Sequence, residues 1–306
     1  MAFERITLRQ FPDGHMHKAY PFHVSLEGLK TDLMCREDED YGVFVKYIFI
    51  CARRKNVVVV IYIVMSTHAH IAVLAQARSA AEAYQNELKR CYSLYYSRKY
   101  NVNKELLRRT NTEVDYLDND GYVRNALAYI PRNAIDTGSR IEDYRWSGYQ
   151  AMFRSNSSIA NTVRVRFLGK KSLRQLLHTH DDLSDVPWRL DSDGEIVPET
   201  ACDHNYLEDA FYHDQAFFLR VTGSLNPSEL KTKLLDNHRV MNNDTVFLTI
   251  AEDLSQKWFN KGIDRLTPEN QARIIPYIRH KHKTTVAQLA RCFGMDRDRI
   301  LSILKK

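Results

Sequence analysis

At 306 residues the chain exceeds the roughly 150 residues typical of one compact domain, so about two domains are expected. Its hydrophobic fraction of 44% and aromatic fraction of 11% exclude a disordered protein, and 11 glycines leave little room for a fold built on many glycine-rich phosphate loops. A net charge of +6 allows a polyanionic partner without proving one.

Tyr20-Pro21-Phe22-His23-Val24-Ser25-Leu26 alternates in the manner of an early strand, and Tyr41 to Arg53 places apolar residues at helical spacing. Val57 to Val64 is β-branched on both faces and reads as a central strand. The run continues through Met65-Ser66-Thr67-His68-Ala69-His70-Ile71-Ala72-Val73-Leu74. Ala80 to Tyr100 has good helix formers and no proline or glycine, and another helix is expected after the turn Asp118-Asn119-Asp120-Gly121. These elements predict an α+β layer with one sheet face covered. Within Ala80 to Tyr100, Lys89, Arg90, Arg98 and Lys99 are interleaved with Tyr92, Tyr95 and Tyr96. That pattern reads as a surface for phosphates and stacked bases, with a solvated amphipathic face as the alternative.

Composition changes after about Phe153. Arg154-Ser155-Asn156-Ser157-Ser158 has the make-up of a linker, and Arg164, Arg166, Lys170, Lys171 and Arg174 form a basic stretch. An acidic segment follows (Asp181, Asp182, Asp185, Asp191, Asp193, Glu195, Glu199) and is expected to be solvated. Asn205 to Leu219 and Asn226 to Phe259 read as mainly helical. In Val286 to Lys306, the anchors Leu289, Phe293, Met295, Ile300 and Ile303, with small Ala290 and a turn at Gly294, have the spacing of a helix-turn-helix. Thr285 with Gln288 would cap its first helix and Asp296 its second. Arg297 and Arg299 would then reach duplex DNA from the start of the recognition helix, while a plain packing hairpin is the alternative. The expected domains are 1–153, 154–262 and 263–306. No apolar run approaches the roughly 18 residues of a membrane helix. Met1-Ala2-Phe3-Glu4-Arg5 is unlike a signal peptide, and five scattered cysteines without CxxC spacing point to a reduced, cytoplasmic compartment.

The histidine pair carries the sharpest chemical signal. His68 and His70 are two apart, so on a strand both imidazoles face one way and can converge on one ion, while Ala69, Ile71 and Val73 face the other. The same spacing at His15-Met16-His17 and His178-Thr179-His180 has no buried strand to aim it, and those read as surface histidines. Tyr129 and Asn133 stand four apart, one above the other on a helix. If that face packs across from the histidines, the Asn133 amide oxygen completes a three-ligand ion site and the Tyr129 phenol reaches whatever the ion holds. This constellation suits phosphoryl transfer. A phenol with a pKa of about 10 is mostly protonated at neutral pH, and a divalent ion can orient the phosphate and stabilise the developing charge. The plainer alternative is a structural histidine pair beside one more half-buried tyrosine among 17.

The ordered set Met65-Ser66-Thr67-His68-Ala69-His70, then Tyr129-Ile130-Pro131-Arg132-Asn133, Gly138, and Asp143-Tyr144-Arg145-Trp146-Ser147-Gly148-Tyr149 resembles the REP-associated tyrosine transposases, which are single-tyrosine HUH nucleases. In that family the histidines lie in Met-Pro-Asn-His-x-His, the tyrosine in Tyr-Ile-x-x-Asn-Pro, and Asp-Tyr-x-Trp-Ser-Ser-Tyr follows. The resemblance covers roughly residues 15 to 153. It implies a ferredoxin-like antiparallel sheet with helices, and cleavage of single-stranded or hairpin DNA through a covalent 5′-phosphotyrosine that leaves a free 3′-hydroxyl. By position, His68, His70 and Asn133 would bind Mg2+ or Mn2+ and Tyr129 would be the nucleophile, in a monomer or homodimer. Members with a C-terminal helix-turn-helix also occur. The chain departs from the pattern at Ser66-Thr67, at Ala134 and at Pro131, where the missing N–H and the ring should kink the helix. A DNA-binding regulator without cleavage is the second reading. A zinc hydrolase of the barrel type would need alternating strands and helices that the sequence lacks.

Overall fold

One long antiparallel strand organises the sheet. The computed structural model describes residues 3–27, 33–102, 112–153, 161–224, 244–282 and 286–304. Strand β2 (Met16–Glu27) pairs through its first half with β1 (Thr7–Gln10), and its second half lies between β4 (His68–Ala75) and β5 (Thr112–Tyr116). Strand β3 (Val58–Val64) pairs with the outer side of β4. Helix α1 (Asp38–Arg54) connects β2 to β3, and α2 (Arg78–Tyr100) connects β4 to β5. The order in the chain is therefore β-α-β-β-α-β, and in space β5-β2-β4-β3.

Both faces of this sheet carry helices, not one. The ring of Phe49 on α1 meets Tyr62 of β3 with centroids 5.6 Å apart, and Phe44 of α1 meets Tyr92 of α2 at 4.7 Å, so α1 and α2 share a face. Helix α3 (Asp120–Arg132) packs on the other, where its Tyr129 ring lies 5.2 Å from that of His70. Two further helices, α5 (His204–Ala210) and α6 (Gln215–Ser224), follow the shorter α4 (Lys170–Leu177) and pack against α3, α5 also meeting β3. Arg124 of α3 donates from Nε to the Ala210 carbonyl at 2.6 Å, and Tyr149 stacks on Phe218.

The stretch Val57 to Val64 also differs from expectation. Its residues are buried on both faces, as β-branched patterning requires, yet β3 ends the spatial order. Residues 144–148 cover its outer edge. The Val64 amide donates to Trp146 O at 2.9 Å, the Tyr144 hydroxyl donates to Val64 O at 2.9 Å, and Ser147 Oγ donates to Tyr62 O at 3.3 Å.

The acidic segment is solvated only in part: Asp182, Asp185 and Asp193 are exposed, while Asp181, Asp191, Glu195 and Glu199 are half-buried. Asp185 accepts from Arg53, Asp181 from Arg54 and Glu195 from Lys46, all at 2.7–3.0 Å, so its carboxylates neutralise cations of α1. This packing also explains why the chain divides at 224/225 into the units Met1–Ser224 and Leu225–Lys306, and not at 153 and 262. The linker expected at 154–158 lies outside the described residues.

In the second unit, α7 (Asp244–Phe259), α8 (Pro268–His282), α9 (Val286–Phe293) and α10 (Arg297–Leu304) enclose a core of their own. Leu289, Ala290, Phe293 and Ile300 are buried in it, and Gly294 takes φ +60° in the turn between α9 and α10. The anticipated cap at Thr285 lies outside the described residues. Among described residues no helix is long and apolar enough to cross a membrane.

Gly148 is needed for close approach. A Cβ there would lie 3.0 Å from the Tyr62 ring and 3.2 Å from the Tyr62 amide nitrogen. Gly148→Ala is expected to destabilise the first unit by about 1–3 kcal/mol, the usual cost of overpacking, read as a lower urea midpoint at unchanged m-value.

Candidate functional site

The antiparallel register decides which side chains meet. Ser25 lies opposite His70 on one side and Glu113 on the other, and His23 lies between Ala72 and Asp115. Opposed residues share a face, so His23, His68, His70 and Asp115 project to the side that α3 covers. Small Ala72 and Ser25 leave space for the His23 and His70 rings to meet at 5.1 Å between centroids.

Each imidazole of the predicted pair has its Nδ1 engaged. His68 Nδ1 lies 2.9 Å from Thr67 Oγ1, and His70 Nδ1 lies 3.2 Å from His23 Nε2. Their Nε2 atoms are the ones left for further contacts. The two rings sit 5.1 Å apart, and half-exposed Tyr129 faces His70 edge-on. The structure thus brings together all four residues that sequence spacing singles out.

Asn133 joins them through the way α3 ends. Pro131 has no N–H to give to Leu127 O, and the helix responds by tightening rather than by a kink within a continuing helix: α3 stops at Arg132 and residues Asn133–Thr137 form a 3-10 turn. The Asn133 backbone N–H now reaches Ile130 O. Its side-chain Nδ2 donates to Tyr129 O at 2.8 Å and to Ile130 O at 3.1 Å. With both amide hydrogens turned to the helix, Oδ1 is the atom left to meet His68, to which the side chain hydrogen-bonds. Two imidazole nitrogens and a carboxamide oxygen form a donor set suited to a divalent cation.

Burial tunes the three histidines in one direction. It lowers the pKa of His68 against the opposing pull of the Asn133 hydrogen bond, and lowers that of His23 against the nearby Asp115 carboxylate. His70, 8% exposed, is pushed well down by burial and by its two histidine neighbours. Neutral rings keep their lone pairs, as metal ligands must.

The predicted nucleic-acid surface on α2 needs correction. Tyr92 is fully buried and donates its hydroxyl to Met34 O at 2.6 Å, so no base can stack on it. Tyr95 donates to the buried carboxylate of Asp40, and Lys99 is tied to Glu37, Glu39 and Asp40. Arg90 pairs with Glu87, Lys89 is half-buried, and Arg98 is exposed. Aromatic residues at helical spacing here serve the core against α1, on the sheet face away from His70. Arg297 and Arg299 are both exposed in the first turn of α10. His15 and His180 are exposed, and His17 pairs with Asp13 at 2.7 Å.

Sequence reading missed His23, whose significance depends on a diagonal contact across strands. It also missed the group Cys51, Glu87 and Cys91, whose ligand atoms lie within 4.8 Å of one another between α1 and α2. That group could hold a metal, but Arg54 already donates to Glu87 at 3.0 Å and to Cys91 Sγ at 3.2 Å, placing a guanidinium where a cation would bind. No family, curated protein or solved structure matches the chain in comparison searches.

The depressed histidine values have a consequence for stability. Between those values and the unfolded one of 6.5, the unfolded chain binds more protons than the folded chain, so stability rises with pH through that window. In EDTA, the urea midpoint is expected to be lower at about pH 5 than at about pH 7.5. His70→Gln should narrow the difference; an unchanged difference would remove His70 from this account.

Proposed function

We propose that the protein is a metal-dependent endonuclease and transposase acting on single-stranded or hairpin DNA, with Tyr129 as its nucleophile. The observation that carries this reading is the meeting of His68, His70, Asn133 and Tyr129 at one end of β4. The β-α-β-β-α-β order with antiparallel strands agrees with the ferredoxin-like HUH domain that the motifs imply. So does the lie of Asp143–Tyr149 along β3.

His68 Nε2, His70 Nε2 and Asn133 Oδ1 would hold Mg2+ or Mn2+, which when bound polarises and orients the scissile phosphate. Tyr129 Oη forms a bond to phosphorus as the bond from phosphorus to the 3′ oxygen breaks. The phenol gives up its proton, and the departing 3′ oxygen takes one up to become a hydroxyl. The 5′-phosphate stays on Tyr129 as a phosphodiester, which conserves the bond energy for rejoining. Arg297 and Arg299, exposed at the start of α10, would contact duplex DNA in a helix-turn-helix.

One observation favours the second reading, a DNA-binding regulator that does not cleave. Both amide hydrogens of Asn133 serve the end of α3, so packing alone accounts for that residue.

Labelled hairpin DNA incubated with Mn2+ separates the two. A covalent adduct stable to denaturing gels is expected from the native protein and none from Tyr129→Phe. DNA binding without an adduct under Mg2+ or Mn2+ would favour the regulator. For the second unit, Arg297→Ala and Arg299→Ala are each expected to weaken duplex binding. If each arginine contacts one phosphate, each replacement lowers the slope of log K against log salt by about 1; an unchanged affinity and slope would assign these arginines to solvent.

A further inference from the structure

The structure carries a histidine that the proposed chemistry does not use. Asp115, His23 and His70 form a row across three adjacent strands, β5, β2 and β4. His23 faces Asp115 directly on one side. On the other, its Nε2 lies 3.2 Å from His70 Nδ1, with the two rings tilted by 31°.

A nitrogen-to-nitrogen contact at that distance holds one proton, and its location decides what His70 can do. If His23 Nε2 carries it, His70 Nδ1 is the acceptor and a neutral His70 must keep its proton on Nε2, where no cation can bind. If His70 Nδ1 carries it, His70 Nε2 presents a lone pair. His23 then bears its own proton on Nδ1, and the carboxylate of Asp115, directly opposite on β5, favours a proton on that ring. Thr67 Oγ1 stands to His68 Nδ1 as His23 stands to His70 Nδ1. Both rings thus receive a partner on the nitrogen that faces away from the site.

We propose that His23 is a positioning residue for a divalent cation, accepting the Nδ1 proton of His70 so that His70 Nε2 is fixed as the ligand atom, with Asp115 supporting His23 from the neighbouring strand. The inference rests on the reading of His68, His70 and Asn133 as a cation site. Partners of this kind orient metal-binding imidazoles and raise their basicity, and their loss typically weakens metal affinity 10–100-fold.

The test is a Mn2+ titration of the full-length protein followed by electron paramagnetic resonance, with no DNA present. His23→Ala is expected to weaken Mn2+ binding by about 10–100-fold. His23→Gln, whose amide oxygen can accept from His70 Nδ1, should recover most of the affinity, and Asp115→Asn should weaken binding less than His23→Ala does. Raising Mn2+ should restore Tyr129 adduct formation in His23→Ala, which a structural lesion would not allow. Should His23→Ala fail to fold, His23→Phe keeps the ring volume without an acceptor and is expected to bind as weakly. Native protein and His23 variants that bind Mn2+ equally would overturn the role of His23 while leaving the cation site standing. Native protein that binds no Mn2+ would overturn the cation site, and this inference with it.

Discussion

The register of β2 against β4 is the constraint on which the rest depends. With Ser25 opposite His70 and His23 opposite Ala72, two small residues sit where rings need space, and the histidines face α3. A slip of one residue would turn one strand's whole set of side chains to the other face. The apolar alternation of Val24, Leu26, Ile71 and Val73, all buried against α1 and α2, forbids that slip. Core packing on one face thereby positions polar chemistry on the other.

A second coupling lies at the end of α3. Proline in the last turn has no N–H for Leu127 O, and the backbone tightens into a 3-10 turn. Asn133 secures that turn with its amide nitrogen, which donates to Tyr129 O and Ile130 O, and its oxygen is the atom left for His68. The arrangement leaves little rotational freedom: the side chain is 3% exposed and spends both hydrogens on helix carbonyls. In the proposed cation site such a restrained oxygen would be a better ligand than one on a free side chain, because less entropy would be lost on coordination. The same residue serves stability and site geometry, and these roles reinforce one another.

The long elements were legible in the sequence because their signals are local. Helix α2 begins two residues before the predicted Ala80 and ends at Tyr100 as expected, and α1 extends the predicted Tyr41 to Arg53 by three residues at one end and one at the other. Tyr129 and Asn133 were legible for the same reason, since four residues along a helix is a short-range relation. What escaped notice is long-range. Glu195 looks solvated until its partner Lys46, 149 positions earlier, lies beside it. His23 looks like one more strand residue until β4 brings His70 diagonally across from it. Tyr92 was misjudged because an aromatic flanked by cations fits a basic DNA-binding face as well as a helix packed on its neighbour. Only the position of α1 distinguishes them.

The segment Tyr144–Gly148 also protects an edge of the sheet. By bonding Tyr62 O and both backbone groups of Val64, it takes up groups of β3 by which an exposed strand would recruit a neighbour's strand. The end of a strongly apolar strand, which exposed edges would offer to aggregation, is thereby paired within its own chain.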